Sequence, residues 1–309
     1  MISILLASYN GERFIAEQIR SLLSQTAQDF KLYINDDKST DSTWEIISNL
    51  AVENPEKVVI SQNEMNSGGA KQNFLKMMVD IKDDYVMLCD QDDVWLSDKI
   101  EKTLAKMVEM EREHGAETPL LVHTDLCLVD ENLKTVSPSY RLAMNADFSK
   151  TSLRNMVSQT TVAGCAIMYN RALADKMTSV PDFTVMHDWW LLLTASASGK
   201  IGFIEDQTVL YRQHSSNEVG AGDVRTLRFK LHKLLRNSEI KKALRESYVQ
   251  ADCFLKVYSD ELLSEQKNLL RRYSEIPNKC CKFARMAEIC RLGSLKNGFS
   301  RKTAHLMYI

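Results

Sequence analysis

"YVMLCDQDDVW", residues 85–95, joins an apolar run to three carboxylates within four positions. The apolar part is typical of a buried strand. Neighbouring carboxylates repel one another, and a turn after a strand needs no more than one Asp and a Gly. Packing therefore does not account for Asp90, Asp92 and Asp93 together. We infer that their oxygen atoms bind a partner.

Similar apolar runs alternate with helical patterns over the first 130 residues. Strands are predicted at residues 2–8, 30–36, 57–61, 85–90 and 120–124. Helices with apolar residues at i, i+3 and i+4 are predicted at residues 11–25, 42–51, 69–80 and 97–114. This alternation predicts an α/β fold with a doubly wound, mostly parallel sheet. Ligands of such sheets bind beyond the carboxyl ends of the strands, where Asp90 is predicted to lie.

The charge distribution changes near residue 224. Residues 1–224 contain 20 Lys and Arg residues against 33 Asp and Glu residues, whereas residues 225–309 contain 19 against 8. Further strands are predicted at 162–170 and 207–213, further helices at 151–158 and 187–198, and mostly helix after 225. We therefore predict a catalytic domain over residues 1–222 and a basic helical region over residues 223–309.

The composition excludes several classes of protein. No apolar run approaches the roughly 20 residues that cross a bilayer, and residues 1–12 lack the basic segment of a signal peptide. The seven cysteines are scattered without a CxxC pair, which favours reduced thiols in the cytoplasm over a zinc site. The acidic first part and the absence of a recognition motif argue against nucleic-acid binding.

An Asp-x-Asp turn at the end of a strand suits a divalent cation and a nucleotide. Mg²⁺ or Mn²⁺ takes hard oxygen ligands, and the cation offsets the charge of a nucleoside diphosphate. One carboxylate of the pair Asp90 and Asp92 can coordinate the metal while the other accepts hydrogen bonds from ribose hydroxyls. The alternative is a solvated acidic loop that caps the next helix, which is the role left for Asp93.

Six motifs occur in one order along residues 1–221. They are "ASYNGE" (7–12), "NDDKSTD" (35–41), "NSGGAKQN" (66–73), "DQDDVW" (90–95), "HDWW" (187–190) and "YRQHSSNEVGA" (211–221). Together they resemble a family 2 glycosyltransferase with the GT-A fold, which is Rossmann-like. The "DQDDVW" and "YRQH" forms resemble the bacterial rhamnosyltransferase branch, which uses dTDP-L-rhamnose.

The resemblance implies a role for each motif in donor binding. The implied nucleotide-sugar contacts are Ala7, Tyr9, Asn10 and Glu12 (base and ribose), Asp37 (the imide N–H of thymine or uracil), Gly68, Gly69 and Lys71 (phosphate, at a helix N-terminus), Asp90, and Arg212 (diphosphate charge). His214 would complete the metal shell beside Asp92. Residues 215–222 would form a lid over the nucleotide. The alternative for these segments is ordinary turns, and for His214 a structural imidazole.

The "HDWW" motif is implied to act on the acceptor. Asp188 would be the general base that deprotonates the acceptor hydroxyl during a single inverting displacement. His187, Trp189 and Trp190 are the implied acceptor contacts, with one indole in the core and the other on a sugar face. The alternative for Asp188 is a helix-capping residue.

The motifs depart from the family pattern at Lys38, where the family has Gly. A Lys is expected to avoid the positive φ that Gly tolerates, so the turn is predicted to differ there and the placement of Asp37 with it.

These observations predict an inverting, metal-dependent hexosyltransferase that moves L-rhamnose from dTDP-L-rhamnose to a hydroxyl of a bacterial surface glycan or a polyprenyl-diphosphate-linked acceptor. The alternatives are a UDP-sugar donor (galactose, glucose or N-acetylhexosamine), a nucleotidyltransferase, and a non-catalytic nucleotide-sugar-binding protein. The basic region has three interpretations: a solvated helical bundle, peripheral contact with the inner face of the cell membrane, and contacts within a homo-oligomer.

Overall fold

The structure, a computed structural model, describes residues 1–181, 183–214 and 237–309. Its strands are β1 (Ile2–Ser8), β2 (Phe30–Asp36), β3 (Val58–Gln62), β4 (Tyr85–Cys89), β5 (Val94–Trp95), β6 (Leu120–Val129), β7 (Thr135–Ser137), β8 (Ile167–Asn170) and β9 (Lys200–Arg212). Its α-helices are α1 (Ile15–Leu23), α2 (Thr43–Glu53), α3 (Ala70–Asp80), α4 (Lys99–His114), α5 (Tyr140–Ala143), α6 (Leu153–Met156), α7 (Arg171–Ala174), α8 (His187–Ser198), α9 (Asn237–Val257), α10 (Ser264–Ser274), α11 (Lys282–Leu292) and α12 (Phe299–Tyr308). Short 3₁₀ helices cover Gly164–Ala166, Asp175–Ser179 and Ile276–Asn278.

The strands form one mixed sheet in the order β3-β2-β1-β4-β8-β6-β9-β5, with β7 paired to β6. Strands β1 to β4 are mutually parallel, whereas β8 is antiparallel to both of its neighbours, β4 and β6. Strand β9 is parallel to β6. The α/β fold with a helical C-terminal region is therefore confirmed, but antiparallel pairs make up more of the sheet than predicted.

The direction of β6 and β9 positions the functional site. Because β8 is antiparallel to both β4 and β6, β6 runs in the same direction as β1 to β4, and so does β9. The carboxyl ends of β1, β2, β3, β4 and β9 therefore lie at one edge of the sheet. This is the edge at which ligands of such sheets bind.

Strand β1 lies in the core, which agrees with its continuous apolar sequence. Every residue of β1 is buried, as expected of a strand covered on both faces. Helix α1 places Ile15, Ile19 and Leu22 in the same core at i, i+4 and i+7. Burial of each such side chain contributes about 2 kcal/mol relative to exposure.

The chain divides into two compact units. The first comprises residues 1–140, 162–178 and 199–216, and it contains most of the sheet. The second comprises residues 141–161, 179–198 and 217–309, and its described part is helical. The predicted domain boundary at residue 222 lies outside the described residues. Among the helices that the structure does describe, none combines the length and apolar character needed to cross a membrane.

The turn after β2 corrects the expectation for Lys38. Lys38 adopts a positive φ of 64°, so this Lys does not avoid the conformation that Gly tolerates. The side chain is exposed. A left-handed conformation costs a residue with a Cβ atom about 1–2 kcal/mol, and the remaining contacts of this loop hold it in place.

Replacing Lys38 by Gly is expected to raise the free energy of unfolding by about 1 kcal/mol, because Gly accepts the positive φ without strain. The matched control is Lys38→Ala, which removes the same side chain but keeps the Cβ atom and should leave stability near that of the wild type. Urea unfolding measures both. Equal changes in the two variants would contradict the assignment of strain to this residue.

Candidate active site

Hydrogen bonds connect the loops at the carboxyl ends of β1 and β2. The Asn10 side chain accepts a hydrogen bond from the Thr40 backbone N–H at 2.8 Å, and the Asn10 N–H donates to Ser39 Oγ at 2.9 Å. The Glu12 carboxylate accepts from the Ser42 N–H at 2.9 Å. Asn10 has φ +48°, a conformation that Asn tolerates better than most residues. Asn10 and Glu12 are predicted to contact the nucleotide. Their hydrogen bonds also hold the loop after β1 against the loop after β2.

Asp37 connects the loop after β2 to the loop after β3. It is 1% exposed, and its carboxylate accepts hydrogen bonds from Asn63 Nδ2 at 2.6 Å and from the Ser67 N–H at 2.7 Å. Ser67 Oγ donates to its other oxygen at 2.8 Å. Three of the roughly four acceptor positions of a carboxylate are thereby used. Contact with a pyrimidine base stays a prediction that has to use the remaining position.

Gly68 and Gly69 come directly before α3, with φ values of +97° and +132°. Both conformations favour Gly. Lys71 lies partly buried in the first turn of α3. The predicted phosphate-binding role rests on the free N–H groups of this helix N-terminus and stays a prediction.

Gln91 connects the acidic turn to the loop after β1. Its side-chain amide accepts a hydrogen bond from the Tyr9 N–H at 2.9 Å and donates to the Tyr9 carbonyl at 3.0 Å. A Cβ atom on Gly11 would lie 2.3 Å from Gln91 Oε1, so a side chain at this position would displace the Gln91 amide from the bridge. Tyr9 itself is 45% exposed, and Ala7 before it is buried. The side chain of Tyr9 is therefore available to a ligand.

Asp92 and His214 lie together, as predicted for two ligands of one metal. His214 Nε2 is 2.8 Å from Asp92 Oδ2, and the two side chains are 8% and 17% exposed. The Phe14 ring packs against the imidazole, with centroids 5.0 Å apart. The carboxylate oxygen suits Mn²⁺ or Mg²⁺, whereas the imidazole nitrogen favours the transition metal Mn²⁺. The donor atoms present fit such a cation, whose binding here remains a proposal.

Arg212 has a different environment from the one predicted. Its side chain is 2% exposed. The guanidinium donates to the backbone carbonyls of Asp92 and Glu131 and forms an ion pair with Glu17. Arg212 therefore fixes the acidic turn to the end of β9, and Glu17 already offsets its charge. Contact with a diphosphate stays a prediction that this burial does not favour.

Two residues of the acidic turn and one cysteine form a second group of potential metal ligands. One ligand atom from each of Asp90, Asp93 and Cys165 lies within 4.8 Å of the others. Asp93 is fully buried, and burial, with the charges of Asp92 and Asp90, raises its pKa. Burial also raises the pKa of the Cys165 thiol. A metal ligand has to lose its proton, and a raised pKa makes that loss less favourable, so we favour Asp92 and His214 as the ligand pair.

Lys99 is a buried cation in the same region. Its ammonium group lies 4.6 Å from the centre of the Trp95 ring. Burial lowers its pKa to about 8, against the attraction of Cys165, Cys89 and Asp93. Lys99 therefore supplies a nearby positive charge to the buried side of the acidic turn.

The "HDWW" motif begins α8 in the second unit. Asp188 is partly buried in the first turn, and its Oδ1 accepts a hydrogen bond from the Trp189 N–H at 2.6 Å. His187 is 4% exposed, and burial lowers its pKa to about 3. The imidazole is thus neutral at physiological pH. The proposed catalytic role of Asp188 stays a prediction, as does acceptor contact by His187.

Both tryptophans of this motif are buried. Trp189 is 7% exposed, and its indole N–H donates to the Met156 carbonyl at 2.7 Å. Trp190 is fully buried and packs against Phe254 and Tyr258 at centroid distances of 5.1 and 6.1 Å. The expectation of one core indole fits Trp190. Its burial leaves no ring face for an acceptor, so we drop Trp190 from the proposed acceptor contacts.

The comparisons with known proteins agree with this arrangement. The family model described as Glycosyl transferase family 2 matches residues 3–118. Residues 3–118 of the chain are therefore similar to a family 2 glycosyltransferase domain. The predicted family and the predicted class of enzyme are confirmed.

One curated relative of this glycosyltransferase is dTDP-rhamnosyl transferase RfbG of Shigella flexneri. It is 27% identical over 249 residues, which are 77% of this chain and 81% of the relative.

Two solved proteins share the fold. TarS of S. aureus in complex with UDP-GlcNAc matches 94% of this chain and 79% of its own, with a TM-score of 0.59 and 17% identity. In a longer TarS structure the match, with a TM-score of 0.57, spans 43% of that chain. Mannosyltransferase PcManGT of Pyrobaculum calidifontis, in complex with GDP-Man and Mn²⁺, matches 94% of this chain and 73% of its own, with a TM-score of 0.55 and 14% identity. At these identities they establish the GT-A fold alone.

Proposed function

We propose that this glycosyltransferase transfers L-rhamnose from dTDP-L-rhamnose to a hydroxyl of a bacterial surface glycan or a polyprenyl-diphosphate-linked acceptor, with Mg²⁺ or Mn²⁺ and with inversion at the anomeric carbon. The reaction would take place at the cytoplasmic face of the membrane. The observation that carries the proposal is the pairing of Asp92 with His214 at 2.8 Å, beside loops that Gln91 and Asp37 tie together.

The donor is proposed from the relative and from the motifs. RfbG is named a dTDP-rhamnosyl transferase and aligns over 77% of this chain. The "DQDDVW" and "YRQH" forms point to the same branch. A UDP-sugar is the second candidate, because TarS, which shares the fold, was solved with UDP-GlcNAc.

Each group would have one task. A cation bound by Asp92 and His214 would offset the negative charge of the leaving diphosphate. Tyr9, Asn10, Glu12 and Asp37 would hold the base and ribose. Asp188 would accept the proton of the acceptor hydroxyl as its oxygen attacks the anomeric carbon. No covalent intermediate is required, because one displacement inverts the configuration.

A panel of donors tests the proposal. The purified chain is given Mg²⁺ or Mn²⁺ with dTDP-L-rhamnose, UDP-glucose, UDP-galactose, UDP-GlcNAc or GDP-mannose, with and without a polyprenyl-diphosphate-linked acceptor. We expect release of dTDP to be fastest and to stop when a chelator removes the metal. Fastest release of UDP would move the assignment to the second candidate. Release of pyrophosphate from a nucleoside triphosphate and a sugar phosphate would indicate a nucleotidyltransferase, and binding without turnover a non-catalytic protein.

A further inference from the structure

The last two helices expose large apolar side chains. Phe283 in α11 is 80% exposed, and Phe299 and Met307 in α12 are 83% and 48% exposed. In α11 the exposed Ala287 and Cys290 follow Phe283 at i+4 and i+7, so these three residues lie on one face of the helix. An exposed apolar face that carries a phenylalanine marks an interaction surface more often than isolated apolar residues do.

The same segment is strongly cationic. Residues 276–309 contain seven Lys and Arg residues and one acidic residue, Glu288. Glu288 is 6% exposed, and its carboxylate accepts a hydrogen bond from Arg272 Nε at 2.7 Å. Its charge is therefore neutralised inside the protein. The exposed charges of the segment, which include Lys282, Arg291 and Lys302, are all positive.

The apolar and basic groups occur together. Lys282 precedes Phe283 in α11, and its ammonium group donates to the Met307 carbonyl of α12 at 2.6 Å. The start of α11 and the end of α12 are thus adjacent. Arg291 follows Cys290, and Lys302 lies one turn after Phe299. Aromatic residues beside Lys and Arg are typical of helices that lie in the headgroup region of a bilayer.

We propose that α11 and α12 form a docking face for an anionic lipid bilayer, with Phe283 and Phe299 inserted among the headgroups and the basic residues in contact with lipid phosphates. Two identical faces would bring the exposed cations Lys282, Arg291 and Lys302 of one copy against those of the other, which disfavours a symmetric contact with a second copy. A nucleic acid would satisfy the cations but would leave the phenylalanines in water. The proposal extends the proposed function by assigning the surface that brings the enzyme to a lipid-linked acceptor, and it is tested by binding alone.

The full chain is sedimented with vesicles of phosphatidylcholine alone or mixed with phosphatidylglycerol. We expect binding to the mixed vesicles only, weakening as salt is raised because surface charges are screened. The double variant Phe283→Ser/Phe299→Ser should bind about a hundredfold more weakly, at about tenfold for each ring removed from the interface. Arg291→Gln/Lys302→Gln should lose about twentyfold, since each basic residue at such a surface contributes about fivefold, and the neutral Gln at 291 avoids a second negative charge beside Glu288, which lies 3.9 Å from Arg291.

Two variants serve as matched controls. Leu263→Ser removes an apolar side chain that is 62% exposed in the same unit, and Lys241→Glu reverses an exposed charge on α9. Both should bind like the wild type, and thermal unfolding of all variants should be unchanged. The proposal is overturned if the phenylalanine variant binds like the wild type, if the controls weaken binding equally, or if binding does not depend on the anionic lipid.

Two further results would assign the face to another partner and so overturn the proposal. One is a dimer in sedimentation velocity that the phenylalanine variant converts to a monomer. The other is binding to RNA or DNA in preference to vesicles. Release of dTDP from dTDP-L-rhamnose in solution, measured in parallel, should be the same in all variants. If the wild type releases no nucleotide from any donor, the proposed function fails while the vesicle result stands.

Discussion

Asp92→Ala is expected to lower sugar transfer about 10³-fold, because a cation that neutralises a leaving diphosphate is worth several kcal/mol in the transition state. The structure places Asp92 Oδ2 2.8 Å from His214 Nε2. The Asp92 backbone carbonyl accepts the Arg212 guanidinium, and this contact does not depend on the carboxylate. The turn should therefore keep its position when the side chain is removed.

The affinity for Mn²⁺, measured by electron paramagnetic resonance, separates a metal ligand from a residue with another role. Asp92→Ala and His214→Gln should each weaken Mn²⁺ binding at least about tenfold, the usual result when a ligand is lost. Cys165→Ser is the matched control, because it changes the second group of ligand atoms, with Asp90 and Asp93. It should leave Mn²⁺ affinity unchanged. If Cys165→Ser weakens binding and His214→Gln does not, the metal belongs to the buried group instead.

The sequence predicts β1, β2 and α8 to the residue, because a continuous apolar run or a distinct helical pattern is decided locally. Other elements needed tertiary information. Strand β5 has two residues and exists only through its pairing with β9. Residues 162–166 were predicted as strand but include a 3₁₀ turn before β8. The antiparallel direction of β8 depends on the path of the connection rather than on its own residues.

The candidate site also contains some residues that the local sequence predicts and others that only the fold reveals. Carboxylates and a histidine after strands are visible in the sequence, because polar groups there have no packing role. Gln91 and Glu17 were missed, since their partners lie 82 and 195 residues away in the chain. Gly11 offered a signal, because Gly is often found where another group approaches the backbone closely. The burial of Asp93 and Arg212 has no counterpart in local sequence, so their structural roles emerge only from the fold.

Asp188→Asn is expected to lower kcat for transfer by about 10²–10⁴-fold, the contribution of a positioned general base. The amide keeps the size of the carboxylate and can still accept the Trp189 N–H, but it cannot take the acceptor's proton. The buried indoles of Trp189 and Trp190 hold the start of α8, so the fold should be unchanged. The N-terminal position in the helix favours a negative charge at Asp188.

Calorimetry with dTDP and Mn²⁺ distinguishes loss of the base from loss of structure. Donor affinity should be the same in Asp188→Asn and in the wild type, because the donor is proposed to bind at the strand ends of the first unit. Asp252→Asn is the matched control: it makes the same change at a partly exposed residue of α9 that pairs with Lys256, and it should transfer sugar at the normal rate. Wild-type kcat in Asp188→Asn would remove this residue from the mechanism. Weaker donor binding with normal kcat would make it a donor contact instead, because a base acts only after both substrates are bound.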